Sequence, residues 1–480
     1  MSVERRAQFE VSFPVYSISL RGNRLVFGTV VLRYAAGLLC FICAMQFGFA
    51  APARAATYNL IHRFEGGSDG EYPMTDMVVD SSGDVYGTTQ YGGGDGCPFY
   101  SLAYIGCGTV YEFTHSGTIY SENILYRFRG GFDGGYVSSG LTRDRTGTFY
   151  GVTSNGGFTV TCKNAYARGC GTVFELAPNS SGYAERPIYR FRNDTDGFLP
   201  SGTLVEDASG ALYGTAHGGR VACSLGPTGC GVIFKLAPNG QGGFTFSVLY
   251  HFVGKRDGAT PAGGLTLGAN GVLYGVTLEG GSNKPCYAPP PPQRLGCGVL
   301  YRLQPGPSGY TEDVLYRFRG YEDGAQPRAR PLIGSDGTLY GTTLYGAAGF
   351  SNCRIQYGCG TMYELQPSGT GFKKSTLIDY SWTLSGSLPI AGLTMDSNGA
   401  LLATAQLAGP GHGGTAFEVD ANGGPGALTM LYAFTGQADG YNPGSTLVQG
   451  SDGTLYGTTL GGGNGSRCEQ MCGTFFSITK

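Results

Sequence analysis

From Tyr58 to the last residue one motif repeats seven times: LYRFRG, then Asp-Gly, a short apolar run, G-x-LYGTT, a glycine-rich loop and CGTVFELAP. Its central Tyr-Gly falls at Tyr86, Tyr150, Tyr213, Tyr274, Tyr340 and Tyr456, with Leu402-Ala403 in the sixth slot, at steps of 54 to 66 residues. A unit of that length cannot bury its own apolar face, so such a chain must stack one copy on the next. Each copy holds four strand-length runs rich in β-branched and aromatic residues, bounded by Gly, Asp, Asn or Pro, with no helical period between them. Four strands per copy is one propeller blade. The expected fold is an all-β, seven-bladed β-propeller of four-stranded antiparallel blades, forming a single domain over residues 56–480. The 85 glycines, 32 tyrosines and 14% charged residues suit short strands and tight turns.

The phase of the repeat also predicts how the ring closes. The chain starts with the fourth strand of a blade, Tyr58 to Phe64, and ends with the third, Gly473 to Ile478. Pairing these two, the N-terminal strand with the C-terminal blade, removes two sheet edges at once. Asp80-Ser81-Ser82-Gly83, Asp144-Arg145-Thr146-Gly147, Asp207-Ala208-Ser209-Gly210 and Asp396-Ser397-Asn398-Gly399 read as hairpin turns in which Asp caps and Gly takes positive φ. Gly268, Gly334 and Gly450 replace that Asp in three copies. Glu112 and Glu175 are expected to face Arg127 and Arg190 across the third and fourth strands, with Arg302 opposing Arg317 in the fourth copy.

Residues 1–55 read as a signal peptide: Arg21, Arg24 and Arg33 precede an uncharged run from Tyr34 to Ala53 that ends in Ala53-Arg54-Ala55. Cleavage after Ala55 is expected, and an uncleaved signal anchor is the alternative, leaving membrane attachment only through this segment. The expected location is secreted, extracellular or at the cell surface, with the periplasm a further possibility. Beyond residue 55 there are 26 basic and 32 acidic residues without a basic cluster, which excludes a nucleic-acid partner.

Twelve cysteines follow the leader, in pairs that each lie in one loop of one copy: Cys97 and Cys107, Cys162 and Cys170, Cys223 and Cys230, Cys286 and Cys297, Cys353 and Cys359, Cys468 and Cys472. An even count in an exported chain points to six intrablade disulfides. A structural zinc site wants four ligands, whereas each loop offers two sulfurs and rarely a histidine. The cysteine of each GCG is thus read as a staple.

The sequences LYRFRGGFDG, GLTRDRTGTFYGVT and CGTVFELAP resemble the GloVer tandem repeat of bacterial choice-of-anchor surface proteins, over essentially all of residues 58–480. The resemblance implies a β-propeller, export and cell-surface anchoring, but no particular chemistry.

No site for catalysis emerges. The five histidines show no metal-ligand spacing, Trp382 is the lone tryptophan, and no cofactor or metal is expected. Asn193-Asp194-Thr195-Asp196-Gly197 superficially resembles a calcium loop, but Arg192 occupies the first ligand position and Thr203 the last, so an Asx turn is the reading. The function expected is a non-catalytic binding or scaffold module, a monomer recognising carbohydrate or another surface protein. An extracellular carbohydrate-active hydrolase or lyase, using carboxylates on the loop face or in the channel, is the alternative. The sixth copy breaks the pattern, lacking cysteines and carrying Leu402 for tyrosine and Ser385 for the Asp of Asp-Gly. Trp382 and His412 of that copy are the candidate ligand contacts, with Tyr100, Tyr104, Tyr166, Tyr287 and Tyr357 from the cysteine loops on the same face.

Overall fold

The computed structural model describes residues 56–480 apart from 74, 95–96, 98–105, 158–168, 220–222, 227–228, 283, 287–295, 348–352, 356, 422–426, 437 and 463–471. The expected leader therefore lies outside the described residues. The described chain is all-β, its helical content limited to two 3₁₀ turns, Ala269–Gly271 and Tyr321–Asp323.

The second repeat shows the plan. A broken first strand, Gly135–Val137 and Thr142–Arg143, pairs with Phe149–Asn155, which pairs with Thr172–Asn179, which pairs with Gly182–Arg190, all antiparallel. Every repeat gives the same order, with the first strand unbroken in the third, Phe198–Glu206, and the fourth, Ala259–Leu267. In the last sheet the fourth position is taken by the N-terminal strand Thr57–Arg63, antiparallel to Thr474–Thr479 with Asn59 opposite Ser477. The core lies between consecutive sheets: Val152 and Val173 of the second repeat pack in one cluster with Leu204, Leu212 and Phe234 of the third. Burial on both faces explains why apolar residues are continuous as well as alternating along the inner strands.

A recurring backbone hydrogen bond ties each sheet to the next. Tyr136, Leu199, Thr260, Gln326 and Leu388 donate their N–H groups to the carbonyls of Cys107, Cys170, Cys230, Cys297 and Cys359 in the preceding repeat, at 2.8–3.0 Å. Asn442 donates to Gly413 at 2.8 Å in the repeat without cysteines, and Tyr72 of the first repeat donates to Cys472 of the last at 3.2 Å. All seven donors have φ between 47° and 64°, a left-handed conformation that costs a non-glycine residue about 1–2 kcal/mol. Second-strand threonines add links at 2.6–3.3 Å: Thr88 to the Ser139 carbonyl, Thr342 to Pro389, Thr404 to Ser445 and Thr458 to Pro73.

The disulfides secure these acceptors. Bonds join Cys97 to Cys107, Cys223 to Cys230, Cys286 to Cys297 and Cys353 to Cys359. Cys170 and Cys472 are also disulfide-bonded, while Cys162 and Cys468 lie outside the described residues. Each second cysteine sits just ahead of a third strand, so the staple fixes the carbonyl that the next sheet uses.

The hairpin turns follow the sequence reading: Asp80, Asp144, Asp207 and Asp396 each accept the N–H groups two and four residues on, at 2.8–3.1 Å. The Asp-Gly loops differ from the expected Asx turn: Asp196 accepts backward, from the N–H groups of Arg192 at 2.9 Å and Asp194 at 3.1 Å, closing the loop that precedes it, and Ser385 keeps the role toward Ser381 in the sixth repeat.

The expected charge pairs are corrected. Glu112 lies opposite Asn123, Glu175 opposite Arg186 and Arg302 opposite Asp313. A tight turn between third and fourth strands fixes the register eleven residues apart, short of the arginines. Arg127, Arg190 and Arg317 instead reach loop carbonyls of the preceding repeat, those of Ser68, Phe132 and Arg256, at 2.9–3.1 Å.

Candidate ligand-binding site

Aligned on the first strands, one slot holds Asp76, Gly140, Thr203, Gly264, Arg330, Gly392 and Thr446, one residue from each repeat. These positions converge. Arg330 Nη2 lies 3.5 Å from Asp76 Oδ2, Thr203 Oγ1 donates to the same oxygen at 3.0 Å, and Thr446 Oγ1 donates to Asp76 Oδ1 at 2.5 Å. The Gly392 N–H in turn donates to Thr446 Oγ1 at 3.0 Å. Convergence needs small residues: a Cβ on Gly140 would lie 2.5 Å from the Asp76 carbonyl oxygen and 2.8 Å from Thr203 Oγ1. One acid and one base thus share a slot otherwise held by glycine and threonine, and they neutralise each other.

Two cavities meet this cluster. The cavity on the disulfide-loop side, about 270 Å³, has Gln90, Ser138, Ser201, His217 and Arg328 in its wall with Asp76 and Arg330. The other, about 570 Å³ at the hairpin end, is lined by Thr142, Arg143, Glu206 and Thr266 besides the same pair. Burial and then the Arg328 charge lower the His217 pKa to about 4, so this imidazole is neutral at physiological pH. Arg328 is exposed, with no ion-pair or hydrogen-bond partner for its side chain among the described residues. The loop-side cavity therefore presents one unpaired guanidinium, a neutral imidazole and hydroxyl and amide groups. That is a set for hydrogen-bonding hydroxyls or a carboxylate. Its single carboxylate, Asp76, is already committed to Arg330 and two threonines. Burial, then the charge of Asp144, raise the pKa of Glu206 at the opposite mouth.

A second set of loops carries exposed apolar side chains. Phe132, Val253, Tyr321 and Leu384 are exposed, and all belong to the loops that follow a fourth strand. Trp382, in the equivalent loop of the sixth repeat, is half-buried against a cluster containing Leu393 and Phe417, with the Arg354 guanidinium 5.9 Å from its ring centroid. His412 is exposed with φ 68°, donating its N–H to the Gly409 carbonyl at 3.1 Å. Gly409 in turn donates to the Trp382 carbonyl at 2.9 Å, which brings the two candidate loops together. Tyr357 packs edge-on to Tyr345 at 6.3 Å. Tyr100, Tyr104, Tyr166 and Tyr287 lie outside the described residues.

Sequence reasoning missed Asp76, Arg328 and Arg330. For Asp76 and Arg330 the signal was available: in a column of small residues across seven aligned copies, these two charged exceptions stand out.

Among solved structures, the chain is similar to a gluconolactonase of Xanthomonas campestris at 15% identity, covering 64% of this chain and 78% of that one with a TM-score of 0.36. A putative 6-phosphogluconolactonase of Bacteroides uniformis matches at 14% identity, 73% and 84% coverage and a TM-score of 0.44. The PQQ-bound aldose sugar dehydrogenase of Streptomyces coelicolor matches at 11% identity, 89% and 100% coverage and a TM-score of 0.41. No curated protein sequence matches the chain. The family described as the Gloeobacter/Verrucomicrobia repeat matches over residues 49–288, 98–346 and 221–476. Together these matches span nearly all of the repeated region, and the chain belongs to the Gloeobacter/Verrucomicrobia repeat family.

Proposed function

We propose that the chain is an exported binding module built on a seven-bladed propeller, taking carbohydrate on its disulfide-loop face without catalysing a reaction. The seven-bladed, closed reading is supported by the pairing of Thr57–Arg63 with Thr474–Thr479 and by the hydrogen bond from Tyr72 to Cys472, which repeats the link found between the other sheets. Export is supported by the disulfides, which persist in oxidising compartments, and by the leader-like sequence of residues 1–55.

The observation that carries the binding reading is the loop-side cavity. Acid–base hydrolysis of a glycoside needs two carboxyl groups across the scissile bond. Here the cavity wall has one, held as an ion pair, beside donors suited to hydroxyl groups. Phe132, Tyr321 and Leu384, exposed in the loops after fourth strands, add apolar surface against which a sugar ring or a protein partner can lie.

A glycan array probed with the mature chain tests this, with polysaccharide turnover assayed in parallel. The expected result is binding that Arg328→Ala and Trp382→Ala weaken at least tenfold, without turnover. Turnover of any bound glycan would favour the hydrolase or lyase reading. Binding of a surface protein alone would replace carbohydrate as the ligand. Wild-type affinity in folded Trp382→Ala would remove Trp382 and its His412 loop from the site.

A further inference from the structure

Along the outer seam between sheets, the Asp of each Asp-Gly accepts a hydrogen bond from the tyrosine seven residues before it. The pairs are Tyr126 with Asp133, Tyr189 with Asp196, Tyr250 with Asp257, Tyr316 with Asp323 and Tyr432 with Asp439, at 2.5–3.1 Å. In the N-terminal strand that tyrosine is replaced by His62, whose Nε2 lies 3.4 Å from Asp69 Oδ2. Across the seam, the fourth strand of the first repeat brings Glu122 Oε1 to 3.8 Å from the same nitrogen. One ligand atom from each of the three residues lies within 4.8 Å of the others.

The position occupied by Glu122 has a telling counterpart. In the fifth repeat it holds Lys374, whose Nζ lies 3.2 Å from Asp323 Oδ1, so there a tethered ammonium sits between the sheets. At His62 the group between the sheets is an imidazole, hydrogen-bonded to Asp69 and a cation only when protonated, where the fifth repeat has a permanent ammonium. Asp69 Oδ1 and Glu122 Oε1 are both buried without a hydrogen-bond partner, which is costly for carboxylate oxygens. The nearby guanidinium, Arg127, directs its Nε to the Ser68 carbonyl. Glu65 adds another negative charge to the surroundings.

We infer that His62, Asp69 and Glu122 bind a divalent ion of the zinc class across the seam between the N-terminal strand and the first repeat. The spacings of 3.4 and 3.8 Å suit donors around one ion with bonds of roughly 2.0–2.2 Å. One imidazole and two carboxylates form a borderline donor set, which favours zinc or cobalt over calcium, an ion that wants six to eight oxygens. The neighbouring clusters lack the nitrogen: Tyr126, Asp133 and Glu185 offer a phenol in its place. The ion would clamp the N-terminal strand to the sheet beside it, independently of any ligand on the loop face.

The test uses the mature, oxidised chain after chelation. Titration with Zn²⁺ should show one saturable site per chain, and Co²⁺ should give a d–d absorption band of four- or five-coordinate character. His62→Tyr restores the tyrosine found at this position in five other repeats and should fold normally while binding Zn²⁺ at least a hundredfold more weakly. Glu122→Gln, which preserves volume, should weaken binding tenfold or more. Absence of a one-to-one site in the wild type, or wild-type affinity in both variants, overturns the assignment.

Discussion

Gly134, the glycine of an Asp-Gly pair, has a backbone φ of +95°, and a Cβ there would meet Thr153 Oγ1 at 2.2 Å and Thr172 Oγ1 at 2.7 Å. Those two hydroxyls are themselves hydrogen-bonded across the second and third strands at 2.8 Å. Gly134→Ala should therefore incur left-handed strain of about 1–2 kcal/mol and overpacking of about 1–3 kcal/mol, a loss of roughly 2–5 kcal/mol. Gly147, in the hairpin of the same repeat, has nearly the same φ, +87°, but its nearest neighbour to a new Cβ is Arg143 Nη2 at 3.6 Å. Gly147→Ala should cost only the strain, about 1–2 kcal/mol, partly offset by a stiffer unfolded chain. Thermal melts of the two variants at matched pH, with the disulfides intact, compare them directly. Equal losses would refute the steric argument and leave backbone conformation as the sole reason for glycine after the aspartate.

Burial, followed by the charges of Asp133 and Asp257, pushes the pKa values of Glu185 and Glu312 up to about 8. The unfolded carboxyls titrate near 4.5, so this stabilisation is complete below that pH and is lost as pH rises toward 8. The melting temperature should therefore fall between pH 6 and 8.5, and Glu185→Gln with Glu312→Gln should flatten that limb; an unchanged slope would contradict it. Replacing Cys353 and Cys359 by serine opens a loop of sequence separation 6 and should cost roughly 2–3 kcal/mol by loop entropy, measurable as a lower melting temperature. Arg330→Met leaves Asp76 without its cation and should cost about 1–3 kcal/mol, of which Asp76→Asn in the same chain recovers part; strict additivity in denaturation would contradict the coupling.

What the sequence made legible was whatever the repeat states seven times. The Asx hairpins, the cysteine pairing within loops and the partner of the N-terminal strand all follow from local spacing and from the phase of the motif. Register within the third-to-fourth hairpin was misread because Glu112 and Glu175 were matched to the nearest conspicuous arginines, whereas turn length sets which residues face. The axial cluster and the seam cluster escaped for a different reason. Asp76 meets Arg330, and His62 meets Glu122, only because separate repeats are placed side by side, and no short-range spacing encodes that. Both left a trace as odd residues in an aligned column: two charges among glycines and threonines, and one histidine in a column of five tyrosines and Ile378. The cysteine carbonyls were equally hidden, since their role toward the next sheet resides in the backbone.

Closure of the ring by the N-terminal strand is the claim on which the rest of the fold depends, and hydrogen exchange of the mature, oxidised chain tests it most directly. If Thr57–Arg63 pairs with Thr474–Thr479, its hydrogen-bonded amides should exchange as slowly as those of Gly182–Arg190, the fourth strand of the second sheet. Exchange across Thr57–Arg63 at the rate of an unstructured peptide, with Gly182–Arg190 protected, would contradict the account.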